Sequence, residues 1–350
     1  MYPHIFSQIS KDVFSHSVWE FHRTLLPQRL QVVYDFLKEA IEKRIDAVDV
    51  SNFHINLEDS RRVSEAVHYD YSIFFDYSVS YWHIGEHVTS IDISYQFSDD
   101  KYHWYVKKCI EKMWEIYCEL GLSNESAEYM VVKILHDYLT RNIVWHKTAD
   151  ELRDHSIVGA LLNGHGVCDS IAHTVSFLLN AFGVKCTCIS GKDFSNDNDE
   201  LSERNMLHAW NVVEIESHRG HLDIGFDFNH QDRTKPLYNY FMISDEDCKV
   251  TRTWDVQTDC DGEYSYFIQY GLLANSNKIF EQILRGEIED GMHDIYIKTW
   301  KESTKQELFK SCAQVLSSVY GERVYYMTTP VKFDERRKIF TLRIMEDDNL

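Results

Sequence analysis

Proline is scarce in this chain, 4 in 350 residues, while 21 Tyr and 19 Phe make aromatics plentiful, so the composition excludes a disordered protein. Positive charge is also in short supply. Against 56 Asp and Glu there are 36 Lys and Arg, a formal net charge of −20, which argues against nonspecific attraction to nucleic acid or to an anionic membrane surface. Most of the acidic excess is read as a solvated surface. No apolar run is long enough to cross a bilayer. The opening MYPHIFSQISKDVFSHSVWEFHR has no basic stretch followed by an apolar core, so no secretory leader is expected and the cytoplasm is the expected location. A Gly-rich phosphate loop is missing as well.

Eight cysteines, at 109, 118, 168, 186, 188, 248, 260 and 312, include no C-x-x-C pair, which weakens zinc-ribbon and dithiol redox readings. An even count in a chain this long does not imply disulfides. Cys186 and Cys188 share one face of an expected strand and read as small buried apolar residues. His165, Cys168 and His173 are close in sequence, and His218 and His221 flank an expected turn, but neither set has recognisable ligand spacing. No metal and no cofactor are expected.

What is present reads as α+β in three stretches: an N-terminal α+β extension over 1–122, a core over 123–261, and a small C-terminal α/β unit over 262–350. In PQRLQVVYDFLKEAIEKR (27–44), Leu30, Val33, Tyr34, Leu37 and Ile41 fall on one helical stripe, and Pro27 suits the first turn. SIDISYQF (90–97) alternates as a strand, with Gly85 as a turn before it. A helix is expected over about 103–120, ended by Gly121, and another after Ser123 and Asn124, either of which could cap it. Strands are expected at about 184–190, 207–215 and 221–228, the last two as a hairpin around ESHRG (216–220). In the C-terminal stretch, a helix near 276–285, the strand HDIYIKTW (293–300), a Thr304–Glu307 capping box and two strands, RVYYMTTPVKF and KIFTLRIM, complete the pattern.

The stretch that carries chemistry is GHGVCDSIAHTVSFLLNAFG (164–183). Cys168 stands where a helix begins, with Ile171, Val175, Leu178, Leu179 and Phe182 on its inner face and Gly183 to close it. The partial positive charge of a helix N-terminus favours a thiolate. A thiol nucleophile also needs a base within reach and a group to orient that base. His208, in MLHAWNVVEI, is the candidate base. Asp223, in GHLDIGFDF, is the candidate orienting group. Hairpin register leaves a choice: a turn centred between Ile215 and Glu216 pairs 208 with 223, and one shifted by two residues pairs 208 with Asp227, on the same face.

GVCDSIAHTVSFLLNAFGVKCTCISG, MLHAWNVVEI and GHLDIGFDFN together resemble the transglutaminase-like superfamily, with its papain-like fold and Cys–His–Asp triad. Bacterial members of that superfamily typically show G-x-V-C opening a helix, then L-x-x-x-G-[IV], H-A-W-N-x-V and a strand bearing D-P-T-W-D. LHDYLTRNIVWH (135–146), SIVGALL and YNYFMISDEDC resemble the surrounding segments, so the resemblance covers about 124–256. It implies Cys168 as nucleophile, His208 as base and Asp223 as orienting residue, on a Cys-bearing helix packed against an antiparallel sheet bearing His and Asp. The Cys168 backbone N–H is implied as one oxyanion donor; Asn163, Trp145 and Tyr138 are candidates for the second, each with an ordinary structural role as the alternative. Trp210 and Asn211 are expected to support the histidine strand. The sequence departs from the family pattern at Ser170, where glycine is common, and at Ile224-Gly225-Phe226 in place of P-T-W.

The implied activity is thiol-dependent acyl transfer on peptide or carboxamide bonds through a thioester, as a cysteine peptidase or amidase or a protein-modifying transglutaminase, with a protein or peptide as substrate. The alternative is a catalytically silent scaffold of the same fold that binds peptides or proteins. The acidic stretch Asp193, Asp197, Asp199, Glu200, Glu203 is expected to overhang the cleft and favour basic substrates.

Overall fold

A computed structural model of the chain describes residues 18–123, 125–148, 150–195, 206–229, 232–321 and 330–344. Helices α1 (Phe21–Leu25) and α2 (Gln28–Glu42) lead into β1 (Ala47–Asp49), α3 (Leu57–Asp70), the hairpin β2 (Tyr77–Ile84) and β3 (His87–Tyr95), and α4 (Asp99–Glu119). The stripe expected on α2 is buried in full, from Leu30 to Ile41. Asn56 caps α3 in a reciprocal capping box with Asp59. The β2–β3 turn is made at Gly85, whose φ of +61° is the left-handed conformation that glycine adopts without steric cost.

The next helix, α5 (Glu128–Asn142), starts later than expected. Its N-cap is Ala127, and the Ser126 hydroxyl instead accepts from the Ser123 N–H, closing a turn ahead of the helix. Asn124 lies outside the described residues. Strand β4 (Val144–Trp145) pairs in parallel with β5 (His165–Gly166) across a short helix and a π-helical turn, Val158–Leu162. Then comes α6 (Cys168–Ala181) and a five-stranded antiparallel sheet. Its strands are β6 (Lys185–Asp193), β7 (Met206–Ile215), β8 (His218–Leu222), β9 (Phe241–Ile243) and β10 (Arg252–Trp254), in the order β10-β6-β7-β8-β9.

The sheet is covered on both faces. Val213 and Ile215 pack into the main core with α6, and Asn211 on the same face donates to the Ala172 carbonyl of that helix at 2.8 Å. Trp210 and Val212 point the other way, into a second cluster with Ile189, Tyr240, Ile243 and Cys248. The main core is continuous from Leu26 to Met242, so the N-terminal elements and the Cys168 helix bury their apolar faces against one another. A separate core, Ala274 to Ile344, is built by α7 (Asn277–Glu289), β11 (Asp294–Lys298), α8 (Lys305–Tyr320), β12 (Val331–Asp334) and β13 (Ile339–Arg343), with sheet order β11-β13-β12. The expected strand RVYYMTTPVKF is described only from residue 330 onward.

Gly191 admits β10 to the sheet. A Cβ there would lie 2.0 Å from the Thr253 carbonyl oxygen and 2.8 Å from the Trp210 ring. Gly191→Ala must therefore push β10 away or shift Trp210, and the expected cost is about 1–3 kcal/mol, read from urea denaturation midpoints. An alanine variant as stable as the parent would contradict this packing.

Candidate active site

Cys168 is the first residue of α6, after an extended Val167. The first N–H groups of a helix have no intrahelical acceptor, so the thiol sits beside a set of donors and the positive end of the helix dipole. Among the free cysteines Cys168 is part-exposed and Cys118 exposed, whereas the other six are buried. Cys168 packs on Ala172, Ala209 and Cys188, and Tyr69 of α3 packs on the same cluster.

The β7–β8 turn fixes the register. Glu216 and Ser217 both have positive φ, 49° and 73°, which gives the tight two-residue hairpin whose twist suits antiparallel strands. Ile215 therefore opposes His218, and Asn211 opposes Leu222. This register lies between the two that the sequence left open. Strand β8 stops at Leu222 instead of running to 228, because the Asp223 carboxylate accepts the Phe226 N–H at 3.2 Å and caps a 3-10 turn, Ile224–Phe226. His208, Trp210 and Asp223 have the parity of one face, and Asp223 reaches His208 diagonally past the end of the ladder. His208 Nε2 lies 2.6 Å from Asp223 Oδ2, with both side chains buried. With Nε2 engaged by Asp223, Nδ1 is the ring nitrogen left for another partner, and Cys168 is among the groups that favour the charged imidazole.

Asp227 takes no part in this group. It is buried against α5, 3.2 Å from His136 Nε2, and it accepts the Tyr240 N–H at 3.1 Å. This second His–Asp pair holds the 3-10 turn from behind. Burial opposes charging of His208, but the charge and hydrogen bond of Asp223 outweigh it and raise the imidazole to about 9. For Asp223, burial pushes upward, and Arg252 first, then His208, hold the carboxyl below its ordinary range.

Arg252 is the residue that sequence reasoning missed. Its side chain is fully buried on β10, with Nη2 2.6 Å from Asp223 Oδ2 and Nε 3.6 Å from Asp193 Oδ2. The guanidinium carbon lies 4.0 Å from the ring centre of Tyr240, 4.6 Å from Phe226 and 5.2 Å from Trp210. A lone arginine in TRTW carries no local signal, and only the contact across the sheet gives it a meaning. Asp193 is correspondingly buried, with Oδ1 accepting from Ser195, so it does not overhang a cleft. The other four acids of that stretch lie outside the described residues.

The family departures find their places here. Ser170 is buried, donates to the Ser156 carbonyl at 2.5 Å and accepts the Ala160 N–H at 3.0 Å, so it ties the π-helical turn to α6. Phe226 stands edge-on to His208, with ring centres 4.8 Å apart. Asn163 spends its amide on the Val158 carbonyl at 3.1 Å, and the Trp145 ring is exposed on β4.

His221, Asp245 and Cys260 come within 4.8 Å of one another, the one such group among the described residues. Trp210 Nε1–H donates to His221 Nδ1 at 3.0 Å, which leaves the ring proton on Nε2, facing Asp245 Oδ1 at 2.9 Å. That oxygen also accepts from Thr258 and from the Cys260 N–H. The donor set is thus a saturated hydrogen-bond network, with the imidazole lone pair a cation would need already occupied. Neither His165 nor His173 joins Cys168 in such a group; His173 Nε2 instead meets His68 Nε2 of α3 at 3.2 Å. Among the described residues no helix is long and apolar enough to cross a membrane.

Residues 119–222 match the family model of the transglutaminase-like superfamily, a span that includes Cys168 and His208 and ends one residue before Asp223. No curated protein matches in sequence. Among solved structures, a candidate cysteine protease from Cytophaga hutchinsonii is similar at 13% identity and TM-score 0.28, over 46% of this chain and 65% of that one. A transglutaminase is similar at 10% identity and TM-score 0.30, over 44% of this chain and 45% of that one. Menin, whose structure reveals a binding site for the Mixed Lineage Leukemia protein, is similar at 11% and 0.26, over 84% and 57%. The chain spans less than two thirds of each of these three.

Proposed function

Residues 119–222 belong to the transglutaminase-like superfamily, and on that premise we propose that this chain is a cysteine peptidase or amidase that works by thiol acyl transfer at Cys168, His208 and Asp223. The observation that supports the reading is the 2.6 Å contact of His208 Nε2 with Asp223, which leaves the other ring nitrogen free to serve Cys168, itself at a helix start. His208 takes the Cys168 proton, and the sulfur attacks a peptide or carboxamide carbonyl. The new C–S bond gives a tetrahedral oxyanion, for which the family resemblance implies the Cys168 backbone N–H as a donor. Collapse breaks the C–N bond, and His208 hands its proton to the departing amine. Water then adds to the thioester with His208 again as base, the C–S bond breaks, and a carboxylic acid and the free thiol result. Asp223 keeps the imidazole aimed and balances its charge throughout.

Iodoacetamide labelling followed across pH, with the modified cysteines mapped, tests the reading. Cys118 is the informative comparison, since it too is accessible. Cys168 is expected to label well ahead of Cys118 below pH 7, and His208→Ala is expected to abolish that advantage. Equal labelling of the two would favour a silent binding scaffold instead. A peptide library then defines the substrate, and incorporation of an added amine in place of release of a free acid would mark a transglutaminase.

A further inference from the structure

We propose that Arg252 is a positioning residue of the same site: acting through Asp223, its buried cation sets the proton affinity of the His208–Asp223 pair. The inference rests on the thiol acyl-transfer reading for its catalytic meaning, but its electrostatic content can be measured without turnover.

A buried guanidinium is costly unless it is paired, and these neighbours assign its charge to the site. Asp223 Oδ2 is shared, with His208 Nε2 on one side and Arg252 Nη2 on the other, each at 2.6 Å. At 2.6 Å the guanidinium and the carboxylate form a buried ion pair, and what the site receives from Arg252 is a fixed positive charge. The three aromatic rings around the guanidinium suit its delocalised, weakly hydrated cation.

The groups facing Arg252 are Asp223 and His208, Asp193 from β6, and Tyr240, Cys248 and His221 behind it. Burial raises the Tyr240 phenol and lifts the Cys248 thiol to about 12, so neither becomes a competing anion near neutrality. Burial likewise lowers His221 and keeps it neutral. With His208 protonated, the charges of this group among the described residues are two cations, Arg252 and His208, and two anions, Asp223 and Asp193, with Arg337 farther off over the same Tyr240 ring. Removing Arg252 leaves a buried excess of negative charge, and every nearby group then holds its proton more tightly. Asp223 alone would make His208 a reluctant acid; the guanidinium moderates it, so the imidazole can both accept and release a proton.

The test compares Arg252→Gln and Arg252→Lys with the parent, following the His208 imidazole by NMR titration and Cys168 alkylation against pH. The parent His208 midpoint is expected near 9. Arg252→Gln is expected to move the His208 midpoint and the alkylation profile to higher pH by about one unit, and Arg252→Lys to restore both. Asp193→Asn removes the competing anion and is expected to move both to lower pH, which keeps the test open if the glutamine variant does not fold. Loss of stability with unmoved midpoints in Arg252→Gln, or an unmoved or raised midpoint in Asp193→Asn, would overturn the inference. Ordinary reactivity of Cys168 in the parent, with the His208 midpoint still following Arg252, would overturn the enzymatic reading and leave the charge coupling in place.

Discussion

Cys168→Ala is expected to remove turnover by at least about 10³-fold, and His208→Ala to do the same, with the double variant no worse than either alone, because groups that act as a unit lose their effect together. Asp223 separates two contributions. Asp223→Asn keeps an acceptor beside His208 but removes the charge that favours the imidazolium, and a loss of about 10²–10⁴ in kcat/KM is expected by analogy with the serine triad. Asp223→Ala should cost stability as well. It leaves the fully buried Arg252 guanidinium without its nearest anion, 2.6 Å away, and breaking a buried pair from one side costs about 3–5 kcal/mol. Kinetics and urea midpoints measured on the same preparations check both halves. An alanine variant at 223 as stable as the parent, or one at 168 that keeps more than a tenth of the activity, would refute the arrangement.

The second large effect is expected at Trp210. It is among the largest fully buried side chains, stacked on His208 at 5.7 Å, edge-on to Trp254 at 5.9 Å and beneath Arg252. Trp210→Ala opens a cavity and strips the guanidinium of one of its three rings, for an expected loss of about 3–5 kcal/mol. Trp210→Phe keeps most of the apolar area and loses the indole N–H bond to His221, so about 1–2 kcal/mol is expected. Denaturant titration of the two variants distinguishes volume from hydrogen bonding; near-equal costs would show that the network with His221 and Asp245 dominates.

Local pattern made much of this legible. The stripe of α2, the Gly85 turn, the Cys186–Cys188 face and the start of α6 at Cys168 each follow from spacing within a few residues, where side-chain period and special backbone residues decide. The start of α5 was not legible, because Ser123 can close a turn as readily as cap a helix, and tertiary packing chose Ala127. Hairpin register escaped for a related reason: Glu216 and Ser217 adopt left-handed conformations usually left to Asn and Gly. The choice of Asp223 over Asp227 rests on family resemblance, since the ladder places neither opposite His208. Arg252, the His136–Asp227 pair and the meeting of His68 with His173 arise from contacts between elements far apart in sequence, which no short-range pattern encodes.

Strand β10 is only three residues long, lies at the margin of its sheet and, among the described residues, is bonded to β6 alone. Such a rim strand is the part of a sheet that opens at lowest free energy. Yet it bears the cation that touches the histidine's carboxylate partner. On the proposed function and charge coupling, fraying at this rim would also draw the cation away from Asp223, so a molecule that clamped or peeled away β10 would alter the imidazole without ever entering the cleft.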